Sequence, residues 1–330
     1  MKQNALEVVY ASNDGYARHL GVSLCSLLDR NQDMEEIRVH ILSMGISREN
    51  QARLQRLADR YERKLIFVEI EELEGRFDHP VDTGGYDISI MLRLFMAEAL
   101  PKDLDRVLYL DCDTVVAQSL KHLWNVRLGD RIAGAVMEPT IYKEVKESIG
   151  LGPEDGYFNS GVLLVNLKKW REENIQEKLL EFWKEKGGKL FASDQDVING
   201  TLKRRILPLP PRYNFFTNYR YFFYGVRVSP SYRAVTWAEF REAKRHPFII
   251  HYMGDERPWI AGNLNHYRKA YERYLAQTEW AKTPKEKGKR LYMLAYHGLD
   301  YLTVLCPSAR FAISRSMGMP FVENRKKDRK

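Results

Sequence analysis

Apolar positions along the first 115 residues keep two rhythms that alternate. Short β-branched runs, LEVVYA (6–11), IRVHILSMG (37–45) and KLIFVEI (64–70), read as strands. Between them lie helical patterns over 16–28 and over ENQARLQRLADRY, where Leu54, Leu57 and Tyr61 fall on one face and Ser47 stands ready to cap. A helix is expected at ISIMLRLFMAEAL after Gly84 and Gly85, and RVLYLDCD (106–113) reads as a buried strand that ends in charge. Downstream, IAGAVM (132–137), GVLLVNL (161–167) and PFIIHYMG (247–254) read as strands, with one helix over WREENIQEKLLEFWKEK and another at SDQDVINGTL. The pattern predicts an α/β chain with a parallel sheet flanked by helices, whose ligands gather beyond the carboxyl ends of the strands.

Composition adds little until charge is located. The chain of 330 residues has a formal net charge of +8, and residues 281–330 hold 12 Lys/Arg against 4 Asp/Glu, so the tail carries the whole surplus. A neutral body with a basic tail gives no reason to expect nucleic acid and points instead to an anionic membrane surface or a local acidic partner. Cys25, Cys112 and Cys306 lie far apart without CxxC spacing, and are expected to be reduced and structural. The opening MKQNALEVVY lacks a basic region followed by an apolar run, so no secretory signal is read and a cytoplasmic location is expected.

Candidate chemistry collects at strand ends. Asp111 and Asp113 are one residue apart, and in extended backbone both would face one side while Cys112 faces the other. Two converging carboxylates repel; a hard divalent cation, Mg²⁺ or Mn²⁺, relieves this, and a diphosphate could complete its shell. The bland alternative is a strand that ends in two capping aspartates. His251, at the end of FIIHYMG, is either a satisfied core histidine or a third ligand if the two strand ends are neighbours. Gly254 would let backbone approach a phosphate and Arg257 would neutralise it. ASNDGY offers Asn13 and Tyr16 in the first turn, for a base or simply for a helix cap, without the G-x-G-x-x-G of a dinucleotide site. Arg93 sits in an apolar helix and needs a partner, structural or ligand. Asp194 is expected to cap its helix and present Gln195. The rings in 213–224 could stack on sugars, but their number suits a core wall.

YASNDGY, LYLDCD, YFNSGVLLVNLKKW, SDQDVING and HYMGDERPW stand in an order and spacing similar to glycosyltransferase family 8, over residues 8–259, and resemble its bacterial lipopolysaccharide α-galactosyl- and α-glucosyltransferases. The resemblance implies a GT-A fold, Rossmann-like with a mostly parallel sheet flanked by helices, and retaining transfer of glucose or galactose from a UDP-sugar to a glycan or lipid-linked acceptor, with Mn²⁺ as cofactor, in lipopolysaccharide or other cell-surface glycan synthesis. It also implies Asp111, Asp113 and His251 on the metal, Ala11, Asn13 and Tyr16 on uridine, Gly254 and Arg257 on the diphosphate, and Arg93, Asn159, Asp194 and Gln195 on the donor sugar. Asp194 and Gln195 would act at the anomeric carbon, with Gln195 as stabiliser because its amide oxygen is weakly basic. The sequence departs from close relatives at Asn13, Gly15, Arg257 and DISIM. Two other readings stay open: a self-glucosylating, glycogenin-like initiator and a non-catalytic nucleotide-sugar-binding protein.

The catalytic unit is expected to span 1–275, with an amphipathic, basic, helical extension over 276–330. In RLYMLAYHGLDYLTVLC, Leu291, Leu294, Gly298, Leu302 and Leu305 fall near one helical face, which His297 and Asp300 interrupt. Two readings weigh equally: a peripheral anchor at the inner membrane face, or a helix packed on the body with a frayed end.

Overall fold

A computed structural model describes residues 5–83, 85–138, 141–218 and 235–327, with side chains to 317. Gly84 and most of the aromatic run, residues 219–224, lie outside the described residues. Seven strands form the main sheet in the order β3-β2-β1-β4-β7-β6-β8. They are β1 (Ala5–Asn13), β2 (Glu36–Met44), β3 (Leu65–Glu69), β4 (Arg106–Leu110), β6 (Ala133–Met137), β7 (Phe158–Asn166) and β8 (Ile206–Pro208). β7 runs antiparallel to β4 and β6, and the remaining pairings are parallel, so the sheet is mostly parallel as its unbroken apolar runs predict.

Side-chain alternation divides the core into two layers. Val8, Tyr10, Leu108, Leu110, Val162 and Leu164 pack on one face. Val9, Val107, Tyr109, Leu163 and Val165 pack on the other. Helices cover both: Ala17–Arg30 lies on the first face, and Ser193–Leu202 with Ile175–Glu185 on the second. Ser47 caps Arg48–Asp59 as expected, accepting from the Asn50 amide at 3.3 Å.

Four local expectations are corrected. The segment Ile88–Phe95 is a 3-10 helix, continued as α-helix only over Met96–Ala99. Its three-residue turn sets Arg93 above Ile90, whose carbonyl accepts from Arg93 Nε at 2.9 Å. The long helix expected after β7 is two, Leu167–Glu172 and Ile175–Glu185, divided by Asn174 at φ +50°. Asp194 does not cap Ser193–Leu202; Asp196 accepts from the Ala192 amide instead. Cys25 and Cys112 are buried, but Cys306 is exposed and supports no core.

A second, three-stranded sheet, β5-β10-β9, sets the site. β5 (Thr114–Val116) is antiparallel to β10 (Ile249–His251), and β9 (Phe215–Phe216) is parallel to β10. Tyr213, Phe215 and Phe216 are buried, so the described part of the aromatic run is a core wall.

His19, on the first helix, lies between the Trp259 ring, 4.0 Å away centroid to centroid, and the Tyr271 hydroxyl, 2.8 Å from Nδ1. Burial, with Arg18 nearby, pushes its pKa down to about 3. Below pH 6.5 the unfolded chain takes up this proton and the native one does not, so stability is intact above 6.5 and drains as pH falls toward 3. Between pH 6 and 4, His19→Gln should lose up to about 1.4 kcal/mol less stability per pH unit than the parent chain in urea titrations. Parallel curves for the two proteins would exclude His19 as a source of acid lability.

Candidate active site

The acidic pair is not on a strand. β4 ends at Leu110, and Asp111–Asp113 form a tight turn into β5, stapled by Thr114 Oγ1 donating to the Asp111 carbonyl at 2.7 Å. The Asp111 amide still donates to the Gly161 carbonyl of β7 at 2.8 Å. Convergence of the carboxylates therefore comes from the turn and not from strand alternation. β10 brings the third group: His251 pairs with Thr114, which sets Nε2 3.1 Å from Asp113 Oδ1 and 3.7 Å from Asp111 Oδ2.

Backbone groups settle which way these side chains point. The Gly161 amide donates to Asn159 Oδ1 at 2.9 Å, so that oxygen is an acceptor. Asn214 must then offer its Nδ2 to the same oxygen at 2.8 Å, which turns Asn214 Oδ1 to His251 Nδ1 at 2.9 Å. Nδ1 carries the hydrogen, and the Nε2 lone pair faces two carboxylates. Acceptors that face each other at 3.1 Å require a proton or a cation between them. Burial disfavours charge on His251, but Asp113 and Asp111 outweigh it and raise its pKa; for Asp113, burial is likewise outweighed by His251 and Arg257 and its pKa falls. The ligand atoms of Asp111, Asp113 and His251 lie within 4.8 Å of one another, so the residues fit a divalent cation. Gly161 makes the space, since a Cβ there would strike the His251 ring and stand 2.6 Å from Asp111 Oδ2.

Arg93 has its partners within the protein. Its guanidinium reaches Asp111 Oδ1 at 2.9 Å, Asp194 Oδ2 at 3.1 Å and the Ser160 carbonyl at 2.8 Å, and lies over the Tyr109 ring. It stands between the acidic pair and Asp194, and burial is outweighed by these carboxylates, so it stays charged. Burial pushes Asp194 up to about 6 although Arg93 opposes it and Ser160 Oγ donates to it at 2.8 Å. Gln195 Oε1 accepts from Asn159 Nδ2 at 2.9 Å and from the Ser160 amide at 3.1 Å. Its Nε2 donates to the Tyr157 hydroxyl, which donates to Asp196 at 2.6 Å. A file of hydrogen bonds thus runs from His251 through Asn214 and Asn159 to Gln195.

Beside this network lies a cavity of about 820 Å³, an ample volume for a ligand the size of a sugar nucleotide. Ala11, Tyr16, Arg93, Asp111, Asp113, Asn159, Asp194, Gln195, His251, Gly254 and Arg257 all line it; Asn13 does not. Asn13 Oδ1 instead accepts from the Tyr16 amide at 2.9 Å, the cap of the first helical turn. Arg257 lies between the Tyr86 and Trp259 rings, with its Nε free of hydrogen bonds among the described residues. Sequence reasoning missed Asn214, Ser160, Tyr109 and Gly161. The glycine was visible in YFNSG, but nothing local marks what a methyl there would meet.

A model of glycosyl transferase family 8 matches residues 7–262. The chain belongs to this family. General stress protein A of Bacillus subtilis is 26% identical over 282 residues, covering 84% of this chain and 96% of that one. A lipopolysaccharide 1,2-glucosyltransferase of Escherichia coli is 27% identical, covering 83% and 79%. Among solved structures, the galactosyltransferase LgtC with donor and acceptor sugar analogues superposes with a TM-score of 0.71 at 29% identity, covering 83% of this chain and 96% of that one. The fold is the GT-A fold of that enzyme, with a helical tail added.

Proposed function

We propose that this family 8 protein is a retaining hexosyltransferase that moves glucose or galactose from a UDP-sugar to a glycan or lipid-linked acceptor of the cell surface, with Mn²⁺, or Mg²⁺ in its place. The observation that carries this reading is the acceptor pair His251 Nε2 and Asp113 Oδ1, 3.1 Å apart, both residues lining the cavity. A divalent ion held there by Asp111, Asp113 and His251 would stabilise the charge that develops on the departing diphosphate. Arg257 and the Gly254 backbone would share that charge, while Ala11 and Tyr16 face the base, with Asn13 shaping their turn.

Arg93, Asn159, Asp194 and Gln195 would hold the hexose. Both hydrogen bonds accepted by Gln195 Oε1 reduce its nucleophilicity further, which favours attack by the acceptor hydroxyl on the face the diphosphate leaves, with Gln195 as stabiliser. Arg93 would act chiefly by fixing Asp111 and Asp194 relative to each other.

The proposed division into a catalytic unit, 1–275, and an extension, 276–330, is not a break in packing, because Trp280 lies against Gly21 and Glu286 pairs with Ile260. No helix of the described residues is long and apolar enough to cross a membrane. Leu291, Leu302 and Leu305, 82%, 82% and 94% exposed, together with the basic tail, support contact with an anionic membrane at the inner face, where a lipid-linked acceptor would lie.

The test is UDP release from a panel of UDP-sugars with Mn²⁺ and with chelator. Metal-dependent release from UDP-glucose or UDP-galactose is expected. Metal-independent release, or none from any sugar in the presence of glycan acceptors, would overturn the reading.

A further inference from the structure

The tail helix Arg290–Leu302 is inverted. Its leucine face points to solvent, and the face that carries Met293, His297 and Asp300 is buried against the body. Burying polar groups in place of leucines is costly unless they find partners. His297 and Asp300, three residues apart and so on one helical face, meet Glu256 from the 3-10 turn Gly254–Glu256; the three are 0%, 0% and 2% exposed. Their ligand atoms lie within 4.8 Å of one another.

Each carboxylate is half satisfied. Asp300 Oδ1 accepts from Arg310 Nε at 2.6 Å, and Glu256 Oε2 accepts from Asn265 Nδ2 at 2.6 Å, with the Tyr296 hydroxyl also beside Glu256. The other oxygens, Asp300 Oδ2 and Glu256 Oε1, and both ring nitrogens of His297 have no hydrogen-bond partner among the described residues. His297 Nδ1 is 3.4 Å from Asp300 Oδ2, within ion-pair reach but off hydrogen-bond geometry. One oxygen oriented by an N–H donor and one left open is the arrangement of a carboxylate prepared for a metal.

We propose that Glu256, His297 and Asp300 form a second metal site, for Zn²⁺, distinct from the Asp111–Asp113–His251 centre, which fastens the tail helices to the wall of the cavity. One imidazole and two carboxylate oxygens suit tetrahedral Zn²⁺ with water as fourth ligand. A dication would relieve the repulsion between the two buried carboxylates, beside which Arg310 donates to Asp300 alone of the pair among the described residues. Glu256 and Tyr296 also line the cavity, so the cluster lies directly behind its wall. The consequence is for the cavity itself: Tyr296, Phe311, Ser314 and Arg315 of the tail helices form part of its wall, and zinc would set their position.

The test uses the full chain, stripped with chelator and carrying Asp111→Asn and Asp113→Asn to disable the first centre. Titration with Zn²⁺ should show one ion per chain. X-ray absorption should show one imidazole and oxygen ligands without sulfur, and hydrogen exchange over 290–316 should slow. In that background His297→Gln should weaken binding by at least about 100-fold. Asp300→Asn keeps an acceptor for Arg310 and should also weaken it, so a folding defect in one variant does not decide the matter. No zinc uptake by the disabled chain, a sulfur ligand, or unchanged affinity in both variants would overturn the site, and the cluster would then be an ion-pair latch.

Discussion

Asp113→Ala is expected to lower Mn²⁺-dependent UDP release by about 10³-fold or more, because the loss of a proposed metal ligand would remove several kcal/mol of charge stabilisation from the transition state. The fold should survive. The Asp113 carbonyl, which accepts from the Tyr252 amide at 3.0 Å, is untouched by the substitution, and one of two repelling carboxylates is gone. A circular-dichroism melt within a few degrees of the parent, together with lost turnover, is the expected pair of results. Unchanged turnover with unchanged metal dependence would remove Asp113 from the metal centre.

Gly161→Ala should cost about 10²-fold in kcat, a larger effect than its single methyl suggests. The added carbon would strike the His251 ring, and would stand 2.6 Å from Asp111 Oδ2 and 3.1 Å from Asn159 Oδ1. None of the three can swing aside: His251 is held by Asn214, Asp111 by Arg93 and Tyr109, and Asn159 by Asn214 and Gln195. The proposed metal ligands Asp111 and His251 must therefore spread, and overpacking adds about 1–3 kcal/mol of instability. Gly75→Ala is the control, since a methyl there meets nothing within 4 Å. Steady-state kinetics with full metal loading would show the difference; equal kcat for Gly161→Ala and the parent would mean that the strand yields.

The sheet was legible because burial on both faces writes itself into sequence as unbroken apolar runs, as in VLYL of β4 and GVLLV of β7. The antiparallel direction of β7 was not, since alternation is the same in either direction. Asp111, Asp113 and His251 stood out as polar groups that end apolar runs. The turn that aims the aspartates did not, because a tertiary bond from Asp111 to Gly161 sets it. Asn214 was invisible for a like reason: its work is to fix a tautomer on another strand, and LPPRYNFF carries no mark of that. The tail inverted the hydrophobic rule altogether. Periodicity put Leu291, Leu302 and Leu305 on the face expected to pack or to anchor, yet His297 and Asp300 are the buried side. The exposed leucines go against the packed-helix reading and leave the anchor reading open, while the burial of His297 and Asp300 had no mark in the periodicity.

The cavity wall borrowed from Phe311, Ser314 and Arg315 makes the shape of the pocket depend on a segment that lies outside both sheets. Folding of the body and completion of the cavity are therefore separate events: the strands and the acidic turn can pair among themselves, while the last part of the wall arrives only when the tail helices dock.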